Sequence, residues 1–167
     1  MKKCCLLAVL LLAAAPCLAQ TYEPPPDHPT LLPPAPDWFA TLGAKYDSEI
    51  GLLASFGLYV EILDPDMQTT DHNFWVTQLE IGEDGGKIQF GVGKWMEDRT
   101  VGGALKLSLM QTWGNPEDLE PDQAYLGLEY QFNFHLLNMS AGAYVHIGGN
   151  QYDHDETFIM WSGGVGF

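Results

Sequence analysis

Apolar residues recur at every second position in segment after segment of this 167-residue chain. Between positions 124 and 134, one face of an extended chain carries Leu126 and Leu128, and the opposite face carries Glu129 and Gln131. A period of two residues is that of a β-strand, because successive side chains of a strand point to opposite faces, whereas a helix repeats every 3.6 residues. The sequence therefore predicts an all-β protein.

The alternating pattern divides the chain into eight candidate strands with polar or acidic connections. The predicted strands cover residues 38–46, 51–63, 73–82, 87–96, 101–113, 123–134, 137–148 and 157–167. Connections such as 83–86 and 97–100 are too short for a helical crossover, and they favour antiparallel hairpins. Eight consecutive antiparallel strands suit an up-and-down β-barrel, with a two-sheet sandwich as the structural alternative.

The chain before position 38 has two parts of different composition. Residues 1–19 join a basic start to an apolar stretch and end on small residues, which is the arrangement of a secretory signal peptide. We expect export and cleavage after Ala19. Residues 20–37 contain seven of the eleven prolines, and these favour extended conformations, so we interpret the segment as a stiff linker. The predicted barrel domain is then 38–167.

Charge and cysteine content exclude several classes of function. The net charge is −15, and it becomes −17 once the leader with Lys2 and Lys3 is removed. Such an acidic chain does not suit nucleic acid, whose phosphates require clustered Lys and Arg. All three cysteines precede the predicted cleavage site, so the mature chain offers no disulfide and no Cys-ligated metal. No motif in the sequence indicates a cofactor or a catalytic residue.

Alternation alone does not decide which strand face points into the barrel. A soluble barrel buries its apolar face, whereas a membrane barrel turns that face to lipid. The polar faces here hold mainly Gly, Ser, Gln, Asn and Tyr with about one charge per strand, too few for a surface in water. We therefore predict a transmembrane barrel with a polar lumen. The predicted lumen network consists of Lys45, Glu61, Glu80, Lys106 and Glu129.

The last predicted strand, TFIMWSGGVGF, ends on an aromatic residue that follows a set of alternating positions. Those positions are Ile159, Trp161, Gly163, Val165 and Phe167. Together with the strand pattern over residues 38–167, this ending resembles the small eight-stranded outer-membrane β-barrel proteins of Gram-negative bacteria. Gly163 departs from the hydrophobic residue that is usual at its position.

The resemblance implies a location and two partners. Trp161, Val165 and Phe167 would form the assembly signal that such proteins present to the outer-membrane assembly machinery, and the barrel would lie in outer-membrane lipid. Both ends of the barrel domain and the proline-rich linker would then be periplasmic. The loops facing outside would be 47–50, 83–86, 114–122 and 149–156.

Two other classes of function stay open on the sequence. A secreted or periplasmic lipocalin-like barrel would invert the faces and enclose an apolar ligand. Its cavity would be lined by Leu107, Leu126, Leu128 and Met139. A barrel enzyme similar to the lipid A deacylases would need a His-x-Ser pair, but the comparable place reads His146-Ile147-Gly148, and glycine is no nucleophile.

The connections hold most of the acidic residues. Asp64, Asp66 and Asp71 lie in one of them, and further carboxylates lie in 115–122 and 150–156. Carboxylate oxygens are the ligands that Ca²⁺ prefers, yet no twelve-residue calcium-loop pattern is present. We interpret these segments as solvated acidic loops. In the outer membrane that the resemblance implies, the hypothesis is that they would share divalent cations with an anionic outer leaflet.

Overall fold

The chain folds into a closed barrel in which every strand pairs with its neighbours in sequence. The structure is a computed structural model that describes residues 38–62, 72–96, 100–149 and 157–166. The strands are β1 (Trp38–Asp47), β2 (Gly51–Glu61), β3 (His72–Gly82), β4 (Gly85–Trp95), β5 (Val101–Thr112), β6 (Gln123–Phe134), β7 (Leu137–Gly149) and β8 (Thr157–Val165). All pairs are antiparallel, and β8 closes on β1. The predicted all-β, up-and-down, eight-stranded barrel is confirmed, and the sandwich alternative is wrong.

The observed strand ends differ from the predicted ones by a few residues. The turn predicted at 83–86 is shorter, because Gly85 and Gly86 already belong to β4 and pair with β5. Asp47, which the sequence placed in a loop, is the last residue of β1 and lies opposite Gly51. Backbone pairing therefore continues further into the acidic connections than the alternation of apolar residues shows.

Several predicted features lie outside the described residues. These are the signal peptide (1–19), the linker (20–37), Phe167, and the acidic stretches 63–71 and 150–156. No helix in the described ranges is long and apolar enough to cross a membrane.

The two ends of the barrel are distinguished by their connections. We call the end with the β1–β2, β3–β4 and β5–β6 connections the upper end, and the opposite end, where β1 begins, the lower end. The register that starts at Trp38 passes through all eight strands to Trp161, whose carbonyl accepts a 3.0 Å hydrogen bond from the Ser48 N–H. The row of paired residues therefore reaches β1 again at Ser48, ten positions after its start at Trp38. A stagger of this kind means that the strands are tilted relative to the barrel axis.

The apolar faces of the strands point outward, and the polar faces point into the barrel. Among the described residues, 29 large apolar side chains are exposed, whereas 18 polar or charged residues and only 11 apolar residues are buried. This is the reverse of the distribution in a water-soluble protein. The residues that a lipocalin-like barrel would place around its ligand, Leu107, Leu126, Leu128 and Met139, lie on the outer surface.

The interior is layered along the barrel axis. The upper apolar cluster consists of Ile50, Leu53, Met110, Tyr125, Tyr144 and Met160. The lower apolar cluster consists of Tyr59, Phe74, Val76, Trp95 and Ala104, with Phe39 packed against it. Between the two clusters lies a layer of charged and amide side chains.

Candidate functional site: a buried layer of ion pairs

Six charged side chains meet in the middle of the barrel, on strands that face one another across the lumen. They are Lys45 and Asp47 of β1, Glu80 of β3, Lys87 of β4, Lys106 of β5 and Glu129 of β6. None of the six is more than 2% exposed. Three cations face three carboxylates, so the layer is neutral as a whole. Charges as deeply buried as these are tolerated only when they are paired and hydrogen-bonded.

Lys87 is the centre of this ion-pair layer. Its Nζ lies 2.8 Å from Asp47 Oδ2, 3.0 Å from Glu80 Oε2 and 3.4 Å from Glu129 Oε2. Lys45 lies to one side, with Nζ at 2.7 Å from Glu80 Oε1. One ammonium therefore joins carboxylates from three different strands.

Lys106 connects the ion pairs to a set of glutamine amides. Its Nζ lies 3.2 Å from Glu129 Oε1 and donates to the side-chain oxygens of Gln78 at 3.2 Å, Gln89 at 2.6 Å and Gln131. The amide nitrogen of Gln89 donates onward to Glu129 at 3.0 Å. Each glutamine thus presents oxygen to the cation and keeps nitrogen for an acceptor, which is how buried amides are satisfied beside charges.

Two inward glycines make room for the long lysine side chains. A Cβ at Gly91 would come within 2.7 Å of Lys106 Cγ, and a Cβ at Gly164 would come within 2.6 Å of Lys45 Cγ. Both distances are far shorter than ordinary carbon contacts. The absence of a side chain at these positions allows two lysines to fit into a narrow interior.

The predicted lumen residues do not all belong to one network. Lys45, Glu80, Lys106 and Glu129 lie in the ion-pair layer. Glu61 lies apart at the lower end, in contact with His72, and its side chain is 19% exposed.

Sequence reasoning missed two members of the layer. Lys87 lies on the polar face of its strand, in alternation with Gln89 and Gly91, and this placement was a signal that Lys87 points into the lumen. Asp47 was missed because it was placed in a loop, although backbone pairing of β1 with β2 and β8 extends to it.

The β5–β6 connection, residues 113–122, folds over the upper end, and we call it the upper cap. Leu119 packs against the upper apolar cluster, and Pro116 is buried. The Glu117 N–H donates to the Glu49 carbonyl of the β1–β2 turn at 3.1 Å. At the base of the cap, the Asn115 N–H donates to Asp84 Oδ1 at 2.8 Å. The cap therefore bridges two hairpins and covers the upper opening.

The contact between the upper cap and the β1–β2 turn brings carboxylates together. Burial raises the pKa of the Glu49 carboxyl above its ordinary value of 4.5, and repulsion from Asp118, Asp47 and Glu117 acts in the same direction. The hydrogen bond from the Ser48 hydroxyl, at 3.2 Å, opposes this rise. Closure of the cap therefore brings negative charges together near neutral pH.

His146 and two serines that point into the barrel, Ser140 and Ser162, make contacts with other side chains. Nε2 of His146 lies 2.8 Å from Gln123 Oε1. Ser140 Oγ lies 2.6 Å from Ser162 Oγ and 3.5 Å from Lys45 Nζ. In the described hydrogen bonds, neither serine meets a histidine.

The predicted assembly-signal residues occupy different surroundings. Trp161 is exposed on the outer face beside Tyr46, with ring centroids 6.3 Å apart. Val165 is half-buried at the lower end of β8, opposite Ala44. Phe167 lies outside the described residues.

The acidic connections carry the oxygen ligands that divalent cations prefer. Within the described ranges, no group of three His, Cys, Asp or Glu side chains is arranged to hold a metal ion.

Comparison of the chain with protein-family models, with curated proteins and with solved structures finds no match.

Proposed function

We propose that this chain is an outer-membrane β-barrel protein with a structural or surface-interaction role, exported by its leader and oriented with the lower end toward the periplasm. The observation that carries the proposal is the reversed polarity of the barrel: charged and amide residues lie inside, and large apolar residues lie outside. Lipid is the solvent in which such an outer face is favourable, because water penalises exposed apolar area by about 25 cal/mol per Å².

The dimensions of the strands agree with a membrane span. The eight strands contain 9 to 13 residues, and a tilted transmembrane strand needs about 9–11. Among the outward positions of the described strands, the one charged side chain is Lys94, which lies near the lower end. The lipid-facing band between the two ends is then free of charge, as the hydrocarbon core requires.

Aromatic residues on the outer surface lie near both ends of the barrel. Trp38 and Phe134 are exposed at the lower end, and Tyr46 is exposed near the upper end. Trp113 lies at the upper end, half-buried over Gly86. Two aromatic girdles at membrane–water interfaces are typical of outer-membrane barrels.

A surface-interaction role is supported by the charge of the upper end. Its described connections carry acidic residues and no Lys or Arg: Glu49, Glu83, Asp84, Glu117, Asp118, Glu120 and Asp122. A surface of this charge repels polyanions and favours partners that are cationic or bridged by divalent cations.

The proposal is tested first by fractionation of expressing cells, followed by electrophoresis of unheated and boiled samples. We expect the protein in the outer membrane, with a band that migrates differently before boiling because the folded barrel resists detergent. Recovery in the soluble periplasmic fraction would contradict the proposal.

A matched pair of substitutions tests the lipid-facing assignment. Leu128 is 54% exposed in the middle of the wall, so Leu128→Lys should cost about 2–4 kcal/mol and prevent membrane assembly. Leu137 is similarly exposed but begins β7 at the lower end, where the same change should cost about 0–1 kcal/mol. The measurement is the amount of heat-modifiable protein in the outer membrane. Equal assembly of the two variants would contradict the assignment.

A further inference from the structure

The lower half of the lumen contains amide groups whose orientation is set by the ion-pair layer. Lys106 Nζ is a donor only, so the oxygen of the Gln131 amide faces it. The nitrogen of Gln131 therefore points the other way and donates to Tyr59 OH at 3.2 Å and Asn133 Oδ1 at 2.9 Å. The Asn133 amide is oriented in turn, with its oxygen toward Gln131 and its nitrogen away from it.

Asn138 completes this chain of amides and leaves two polar atoms without partners. Its Nδ2 donates to the same Asn133 oxygen. The remaining atoms, Asn133 Nδ2 and Asn138 Oδ1, have no hydrogen-bond partner among the described residues, although both side chains belong to residues that are at least 99% buried. Rotating either amide group by 180° would place two donors or two acceptors opposite each other in an existing hydrogen bond. Reorientation of a single side chain therefore does not give Asn133 Nδ2 and Asn138 Oδ1 a partner.

Trp95 adds a third unpartnered atom beside these amides. In the register, Trp95 pairs with Gly102, Gly102 with Asn133, and Asn133 with Asn138. The inward side chains of this row are therefore neighbours on β4, β6 and β7. The Trp95 indole lies over Gly102, where a Cβ would overlap the ring, and its Nε1 is buried without a hydrogen-bond partner in the described part of the chain.

Two donors and one acceptor from one row of the lumen require a partner that both accepts and donates hydrogen bonds. We propose that ordered water lies at this row of the lumen and bridges Asn133 Nδ2, Asn138 Oδ1 and Trp95 Nε1. Buried water in proteins makes about three hydrogen bonds to such otherwise unsatisfied groups. This water then lies below the ion-pair layer, beside Trp95 of the lower apolar cluster.

The side-chain N–H groups report this water directly. The chain is refolded in detergent micelles, its barrel is verified by heat-modifiable migration, and magnetisation transfer from water is recorded by NMR. We expect cross-peaks of long-lived water at the Asn133 NH₂ and the Trp95 indole N–H. Trp75 is the internal control: its outward-facing indole should show no long-lived water.

Substitution of Asn138 tests the bridge itself. Asn138→Leu removes the acceptor Oδ1 and leaves the Gln131–Asn133 hydrogen bond in place, so the long-lived water signal at Asn133 should disappear. Asn73→Leu is the matched control, because Asn73 lies near the same end on the outer face, and the signal should remain. Absence of long-lived water in the folded wild-type barrel, or an unchanged Asn133 signal in Asn138→Leu, would overturn the proposal.

Discussion

Single side chains decide whether the charges inside the barrel are balanced. Lys87 contacts all three interior carboxylates, whereas Lys45 and Lys106 each contact one in the described ion pairs. Glu80 and Glu129 would therefore each keep a cation without Lys87. Asp47 would not, because Lys87 is its ion-pair partner in the described part of the chain.

The substitution Lys87→Met tests this role. It should lower the free energy of unfolding by about 3–5 kcal/mol, because removal of one member of a buried ion pair leaves the other charge uncompensated. Urea unfolding in lipid vesicles measures the change. Lys94→Met is the control, since Lys94 is exposed on the outer face, where even an ion pair contributes no more than about 1 kcal/mol to stability. Equal effects of the two substitutions would show that the ion pairs of Lys87 contribute nothing measurable.

The sequence predicted that the lumen is polar and charged, but it did not identify all of the side chains that form the ion-pair layer. The alternation placed Lys45, Glu80, Lys106 and Glu129 on the polar faces, because the direction of a side chain in a strand is a local property, and the low charge of those faces predicted that they point inward. It also placed Glu61 there, but the position of Glu61 along the axis puts it beside His72 at the lower end. Distance along the barrel axis depends on strand stagger, which alternation does not specify.

At the scale of elements, the upper cap depends on contacts between connections that are far apart in sequence. Glu117 of the cap bonds to the backbone of Glu49, and Leu119 packs on residues from several strands. The same contact brings Glu49 near Glu117 and Asp118, and Asp47 is already its neighbour in the turn. Apolar packing and backbone hydrogen bonds therefore hold the cap closed against electrostatic repulsion.

The stability of the capped barrel should depend on pH through Glu49. Its pKa is raised in the folded protein by burial, so the folded state binds the proton more tightly than the unfolded state. This contribution to stability is present below the ordinary value of 4.5 and is lost as pH rises through the folded pKa. Glu49→Gln removes the charge and should raise the melting temperature at pH 7 relative to wild type, with the difference shrinking below pH 4.5.

Glu120→Gln is the control for this measurement. Glu120 is exposed in the same cap, and only its backbone oxygen is used, by the Thr112 hydroxyl at 2.7 Å. Its substitution should leave the melting temperature unchanged at both pH values. A Glu49→Gln barrel that melts at the wild-type temperature at pH 7 would contradict the argument.

For the whole molecule, three successive layers close the lumen. The upper apolar cluster lies beneath the cap, the ion-pair layer fills the middle, and the lower apolar cluster lies below it. Phe39 stacks on Tyr59 of the lower apolar cluster, with ring centroids 4.9 Å apart. An eight-stranded barrel has an interior that side chains just fill. No wide aqueous path therefore crosses the described part of the barrel.

Reconstitution into planar bilayers tests this closure. We expect no stable single-channel openings, because an ion would have to break buried ion pairs and pass both apolar clusters. Folding is verified in parallel by heat-modifiable migration of the protein sample that is added to the bilayers. Sustained, discrete openings from a homogeneous folded sample would contradict the closed lumen.

The sequence by itself determined the all-β class, the number of strands and the residues that share a face. These follow from local geometry, because an extended backbone turns alternate side chains to opposite sides. Short connections between alternating segments then favoured antiparallel neighbours and an up-and-down order.

The low charge of the polar faces already predicted that they point inward, whereas the tertiary structure alone decided which side chains meet. Closure of the sheet into a barrel with a fixed stagger brings Lys87 to Asp47, folds the cap onto Glu49, and aligns Trp95 with Asn133 and Asn138. Such partners come from different strands, and a slip of one residue in the register would turn every side chain of a strand to the other face. The identity of each contact therefore depends on the register of the whole sheet rather than on any one segment.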